Sequence, residues 1–231
     1  MKKFYDKSEL DIPYHNPDQK KFYFERCAKF DEAQIGFKKI VFLGDSITED
    51  RGNWNKYFNT KNIVNRGLSG DTTLGVLTRV NEICFYKPIS LFLLIGINDI
   101  FNTDSPNRKN ITPLSVSNNI ITIADVIYKR SPNTKVYVQT TLPINNKLYK
   151  KTFGTFPVHE ILLPDQINQI NTILKKNAGQ NDYMIIDLHD IFLDRNGLLS
   201  KKYTFDGVHL NEAGYKKWSN FINKYISSNS L

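Results

Sequence analysis

The chain has 231 residues, 40% of them hydrophobic and 13% aromatic, with a net charge of +8, which suits one ordinary folded core and excludes a disordered tract or a repeat array. Its two cysteines, Cys27 and Cys84, are too few for a disulfide framework or a cysteine metal site and read as small buried hydrophobes. The lysines fall in scattered pairs such as Lys20-Lys21 and Lys216-Lys217 without a nucleic-acid motif, and the longest strongly apolar run, Ile89 to Ile97, is too short for a membrane span, so neither nucleic acid nor a bilayer core is expected as a partner.

No stretch of residues 1–30 resembles a signal peptide, so a cytoplasmic protein is expected, an exported or periplasmic one without its leader being the alternative. Residues Pro17 to Gln34 place Tyr23, Cys27 and Phe30 at i, i+4, i+7 spacing, which predicts a helix within an N-terminal extension of about residues 1–36. Next, Lys39 to Leu43 is a nearly continuous apolar run ending at Gly44, the pattern of a strand buried on both faces. Asn62 to Val64 before Gly67 predicts a weaker second strand and Leu91 to Ile95 a strong third. Between them Leu74, Leu77 and Val80-Asn81 predict a helix. Ile120, Ile123, Ala124 and Ile127 predict another, before a fourth strand at Thr134 to Leu142. Ile167, Ile170 and Leu174 mark the next helix and Tyr183 to Asp187 the fifth strand. Trp218, Phe221, Ile222 and Tyr225 mark the last helix. Two stretches without periodicity, Asn102 to Thr112 and Ile144 to Leu163, are expected to be loops.

Alternating strands and helices predict an α/β fold: a three-layer αβα sandwich on a five-stranded parallel sheet of flavodoxin-like order 2-1-3-4-5, as a single domain over residues 1–231. In such sheets ligands bind beyond the carboxyl ends of the strands. The polar residues just past those ends are Asp45-Ser46, Asn65 to Asp71, Asn98-Asp99, and Asp206 with His209 in the loop beyond the fifth strand. A hydrolytic serine needs a base, a group to orient that base and donors for the oxyanion, and these segments offer candidates for all of them.

The four blocks Gly44-Asp45-Ser46-Ile47-Thr48, Asn65-Arg66-Gly67-Leu68-Ser69-Gly70-Asp71, Gly96-Ile97-Asn98-Asp99 and Asp206-Gly207-Val208-His209-Leu210 resemble, in content and order, those of the SGNH/GDSL hydrolases. Within that family the chain looks most like compact bacterial esterases similar to platelet-activating-factor acetylhydrolase catalytic subunits and carbohydrate O-acetylesterases. The resemblance implies Ser46 as nucleophile, His209 as general base and Asp206 as the acid that orients it. It implies an oxyanion hole from the backbone N–H groups of Ser46 and Gly67 and the side-chain amide of Asn98. It also implies a small-molecule ester substrate with a short acyl group, acetyl first, on a carbohydrate or similar alcohol, hydrolysed through an acyl-enzyme with no metal or cofactor. Ile47 stands where the motif has leucine, a swap that leaves the chemistry alone.

Asp45, Asp71 and Asp99 are expected to fix the surrounding loops by accepting backbone N–H groups. Asp187 and Asp190 compete with Asp206 for the acid's place, and His15, His159 and His189 read as surface or core histidines. The same machinery would serve a lysophospholipase or thioesterase. A flavodoxin-like module holding FMN or phosphate at this edge is the rival of another class, and Asp45, Glu49 and Asp50 argue against it by placing carboxylates where the anion would sit. Catalysis by a neutral histidine predicts a rate rising with pH through roughly 6 to 7.

Overall fold

The computed structural model describes residues 3–5, 16–58, 60–101, 110–179 and 182–227. His15, residues 102–109 of the stretch Asn102–Thr112, and most of the extension before Asn16 lie outside the described residues. Helix α1 (Pro17–Glu32) starts at a capping box in which Asn16 and Gln19 satisfy each other's backbone N–H, with Pro17 in the first turn. It buries Tyr23, Cys27 and Phe30, the stripe that the spacing predicts, against Phe4, Tyr5 and Leu68.

The remaining elements alternate. After β1 (Ile40–Gly44) come the short helices α2 (Ser46–Glu49) and α3 (Asn55–Phe58), and after β2 (Ile63–Gly67) come α4 (Thr73–Thr78) and α5 (Asn81–Tyr86). Then follow β3 (Ser90–Leu94), α6 (Ile97–Phe101), α7 (Pro113–Arg130) and β4 (Lys135–Gln139). The chain closes with α8 (Asn146–Phe153), α9 (Leu163–Asn177), β5 (Met184–Ile186), α10 (Leu188–Phe192) and α11 (Glu212–Ser227). All strand pairs are parallel in the order β2-β1-β3-β4-β5. Strands β1 and β3 are buried at every position, as their unbroken apolar runs require. Helices pack around the sheet, α7 against α9 and α11 against α3.

Three expectations need correction. The helix expected after β2 is two helices, because Arg79 at their junction turns into the interior and is buried. The stretch Ile144 to Leu163 is not all loop. Asn145 caps α8 by accepting the Leu148 N–H, and Gly154 at φ 79° stops it. No residue of α8 is fully buried, and its eight residues are too few to show a sustained helical period in the sequence. In α11 the buried stripe is Tyr215, Trp218, Ile222 and Ile226, leaving Phe221 and Tyr225 half-buried on its flank.

Candidate active site

Gly44 lies level with Gly67 and with Leu94 across the sheet, so the chain leaves β1, β2 and β3 at one edge. There Asp45, rather than Ser46, caps α2, its Oδ1 accepting the Ile47 N–H at 3.0 Å. The Ser46 hydroxyl is thereby left for another partner, and it meets His209 Nε2 at 2.9 Å. His209 Nδ1 lies 2.7 Å from Asp206 Oδ2. The other oxygen of Asp206 accepts the backbone N–H groups of Val208 and His209 at 2.8 and 2.7 Å, so the tight Asp-Gly-Val-His turn clamps the carboxylate before it reaches the ring. Phe205 stacks on the imidazole, ring centres 5.9 Å apart.

Burial alone would lower the pKa of His209, but the hydrogen bond and charge of Asp206 outweigh it and hold the imidazole above its ordinary range. For Asp206 burial acts upward, and the bonds from His209 and from the two N–H groups outweigh it and keep the carboxyl below its usual range. Each partner therefore stabilises the charged form of the other.

The Ser46 N–H has no hydrogen-bond partner among the described residues, as befits a first-turn helical amide. Asn98 Nδ2 donates to the Asp71 carbonyl at 2.9 Å, which orients the amide and leaves its second hydrogen available. Gly67 does not match the role that the resemblance implies. Its N–H donates to Asn65 Oδ1 at 2.8 Å, and a Cβ there would sit 2.2 Å from the backbone nitrogen of Glu49. The absent side chain lets α2 approach β2, not a substrate approach the chain. Gly70, three residues on, holds φ at 77° beside Asp71, and its N–H has no partner among the described residues. Nothing in the sequence separates the two glycines of this block.

Asp45, Asp71 and Asp99 are fully buried and each accepts a backbone N–H, from Ile47, Thr72 and Thr73 respectively. Burial pushes Asp45 and Asp99 up to about 7. Asp99 also accepts the Thr73 hydroxyl at 2.6 Å, tying α6 to the start of α4. The end of α2 is equally fixed: Tyr215 donates to the Ile47 carbonyl at 2.7 Å, and Trp54 and Asn65 donate to that of Thr48 at 2.9 and 3.0 Å. Glu49 joins α1 to this machinery, pairing with Arg26 at 2.7 Å and accepting the N–H of Ser69 at 2.6 Å.

Arg79 carries the most. It pairs with Asp71 at 2.7 Å and donates to the carbonyls of Arg66 and Gly44 at 2.9 and 3.0 Å, gathering the ends of β1 and β2 around Asp71, whose carbonyl takes the Asn98 amide. Replacing it by methionine leaves Asp71 buried without its cation and should cost about 3–5 kcal/mol. At this chain size the melting temperature should fall by on the order of 10 °C. Arg26→Ala, breaking a partly exposed pair, should cost no more than about 1 kcal/mol. Equal shifts for the two variants in thermal denaturation would contradict this ranking.

The competing acids face elsewhere. Asp187 pairs with Lys175 and accepts the Thr140 hydroxyl at 3.0 Å, while Asp190 lies 3.6 Å from His189. His159 is half-buried between α8 and α9 in the chain. Among the described residues no group of three or more His, Cys, Asp or Glu side chains is arranged to hold a metal ion, and no helix is long and apolar enough to cross a membrane.

A parallel α/β sheet with a serine just past β1, hydrogen-bonded in series to a histidine and an aspartate from the loop before α11, is the arrangement of a carboxylic ester hydrolase, the class to which the chain belongs. More particularly, the chain belongs to the GDSL-like lipase/acylhydrolase family, whose pattern matches residues 42–217. It is 26% identical over 188 residues to the platelet-activating factor acetylhydrolase IB subunit alpha2 of Rattus norvegicus, covering 77% of this chain and 71% of that one. Among solved structures it is similar to one described as a platelet activating factor from Streptococcus pneumonia, with TM-score 0.70, 26% identity and 90% of each chain covered. It is also similar to a protein described as an acylhydrolase from Bacteroides fragilis, with TM-score 0.69, 25% identity and 96% and 92% of the chains covered. An acetyl xylan esterase shares the fold at TM-score 0.65 and 21% identity, over 81% of this chain and 99% of that one.

Proposed function

We propose that this chain is a serine esterase that removes short acyl groups, acetyl first, through an acyl-enzyme formed on Ser46. The observation that carries the reading is the continuous series Ser46 Oγ, His209, Asp206, at 2.9 and 2.7 Å, with an unpartnered amide at Ser46 itself. His209 Nε2 takes the hydroxyl proton as Oγ attacks the ester carbonyl, then returns it to the departing alcohol. Water repeats the sequence on the acyl-enzyme, releasing the carboxylic acid and restoring Ser46. The oxyanion is held by the N–H of Ser46, the amide of Asn98 and the N–H of Gly70, which replaces Gly67 in that role because the Gly67 N–H is already engaged.

The preference for acetyl is supported by the relatives named as acetylhydrolases, and the acetyl xylan esterase of the same fold makes acetylated sugars the natural second panel. The deciding experiment is hydrolysis of a p-nitrophenyl ester series. Turnover should be greatest with acetate and fall as the acyl chain lengthens. A protein inert towards the acetate would overturn the esterase reading, and one preferring the octanoate would overturn the acetyl preference.

A further inference from the structure

A groove of about 610 Å³ lies between α8 and the segment that leads to α9. That volume is within the usual range of small-molecule sites. Its walls combine Phe156, Pro157 and Leu162 with the ammonium groups of Lys147 and Lys150. Neither lysine is in an ion pair among the described residues. Val158 is 90% exposed and Leu162 66% exposed, an apolar rim left in water, which marks a surface built to be covered.

Two contacts place the wall of the groove next to the catalytic machinery. The Asn145 N–H donates to the Gly207 carbonyl at 2.7 Å, fastening the start of α8 to the loop that carries Asp206 and His209. From the oxyanion side, Phe101 at the end of α6 meets Tyr149 of α8 at 5.2 Å between ring centres, and Tyr149 meets Phe156 at 5.7 Å. These rings make an aromatic path from the helix of Asn98 to the groove.

We infer that this groove receives the alcohol part of the ester, and that this alcohol is an anionic amphiphile: an apolar body against Phe156, Pro157 and Leu162, and a carboxylate or phosphate held by Lys147 and Lys150. The inference rests on the esterase reading for its link to turnover. A neutral sugar would meet Asn146, Thr155 and His159 in the lining but would bring no counter-charge to Lys147 and Lys150. A long apolar alcohol without charge would leave the two ammonium groups unanswered.

The test compares three acetates of primary decanols, ω-acetoxydecanoate, ω-acetoxydecyl phosphate and the uncharged decyl acetate, and beside them a neutral acetylated xyloside, each followed by acetate release. Both anionic acetates should exceed decyl acetate in kcat/KM by about ten-fold, mainly through KM and less so at high salt, as partly exposed charges allow. Their ratio to one another tells carboxylate from phosphate. Lys147→Glu/Lys150→Glu should lower the anionic-to-neutral ratio by about ten-fold or more. An unchanged ratio, or a preference for the xyloside, overturns the inference. Calorimetric titration of sodium decanoate into the Ser46→Ala protein separates the two readings. If the wild type fails on p-nitrophenyl acetate while decanoate binds and is lost in the lysine variant, the esterase reading falls and the groove stands. If the wild type turns over and decanoate does not bind, the groove alone falls.

Discussion

Ser46→Ala should lower kcat on p-nitrophenyl acetate by about 10⁶-fold, the scale seen when a nucleophile that acts as one unit with its base is removed. It should leave the fold intact. The hydroxyl makes its hydrogen bond to His209 alone, and the cap of α2 is supplied by Asp45, so no buried group loses a partner on which the helix depends. The carbonyls at the end of α2 keep Tyr215, Trp54 and Asn65. A change in stability within the small range of surface substitutions, about 0.5 kcal/mol, is therefore expected. A variant that retains a thousandth or more of the wild-type rate would show that another group attacks the ester, and one that unfolds would show that the hydroxyl serves the helix instead.

Why the candidate site residues are legible in the sequence and their supports are not follows from where each kind of information sits. Ser46, Asn98 and His209 each lie just past a recognisable strand or in a compact local block, and β1 and β3 announce themselves because a strand buried on both faces must be apolar at every position. The predicted fourth strand overshoots to Leu142 because Thr140 to Leu142 remain buried after the chain has left the sheet at Gln139, and burial rather than pairing is what a sequence records. Arg79 reads as an ordinary charged residue at a helix end; only the fold brings the carbonyl of Gly44, 35 positions earlier, within reach of it. The same holds for Arg26 and Glu49, joined across α1 and α2. Gly67 and Gly70 stand in one short block, and what tells them apart is the nearness of α2 to the first and the positive φ of the second.

Asp206→Asn should lower kcat by about 10⁴-fold, and the reason lies in the two N–H groups that the carboxylate already serves. Val208 and His209 donate to Oδ1 at 2.8 and 2.7 Å, and an asparagine must keep its carbonyl there to accept them. Its NH₂ then faces Nδ1 of His209, which can only accept. The imidazole is forced to carry its proton on Nε2, pointing at Ser46, where a base must be bare. The pH profile supplies the independent check. Activity requires neutral His209 and so rises with pH through its pKa, which Asp206 holds above the ordinary imidazole value of about 6.5. Without the carboxylate, the lowering effect of burial is less opposed and the midpoint moves to lower pH. The deficit of the variant should therefore be largest on the alkaline side and shrink as the pH falls through the wild-type midpoint. A deficit that is constant from pH 5 to pH 9 would mean that Asp206 holds the loop in place without setting the charge or the tautomer of His209.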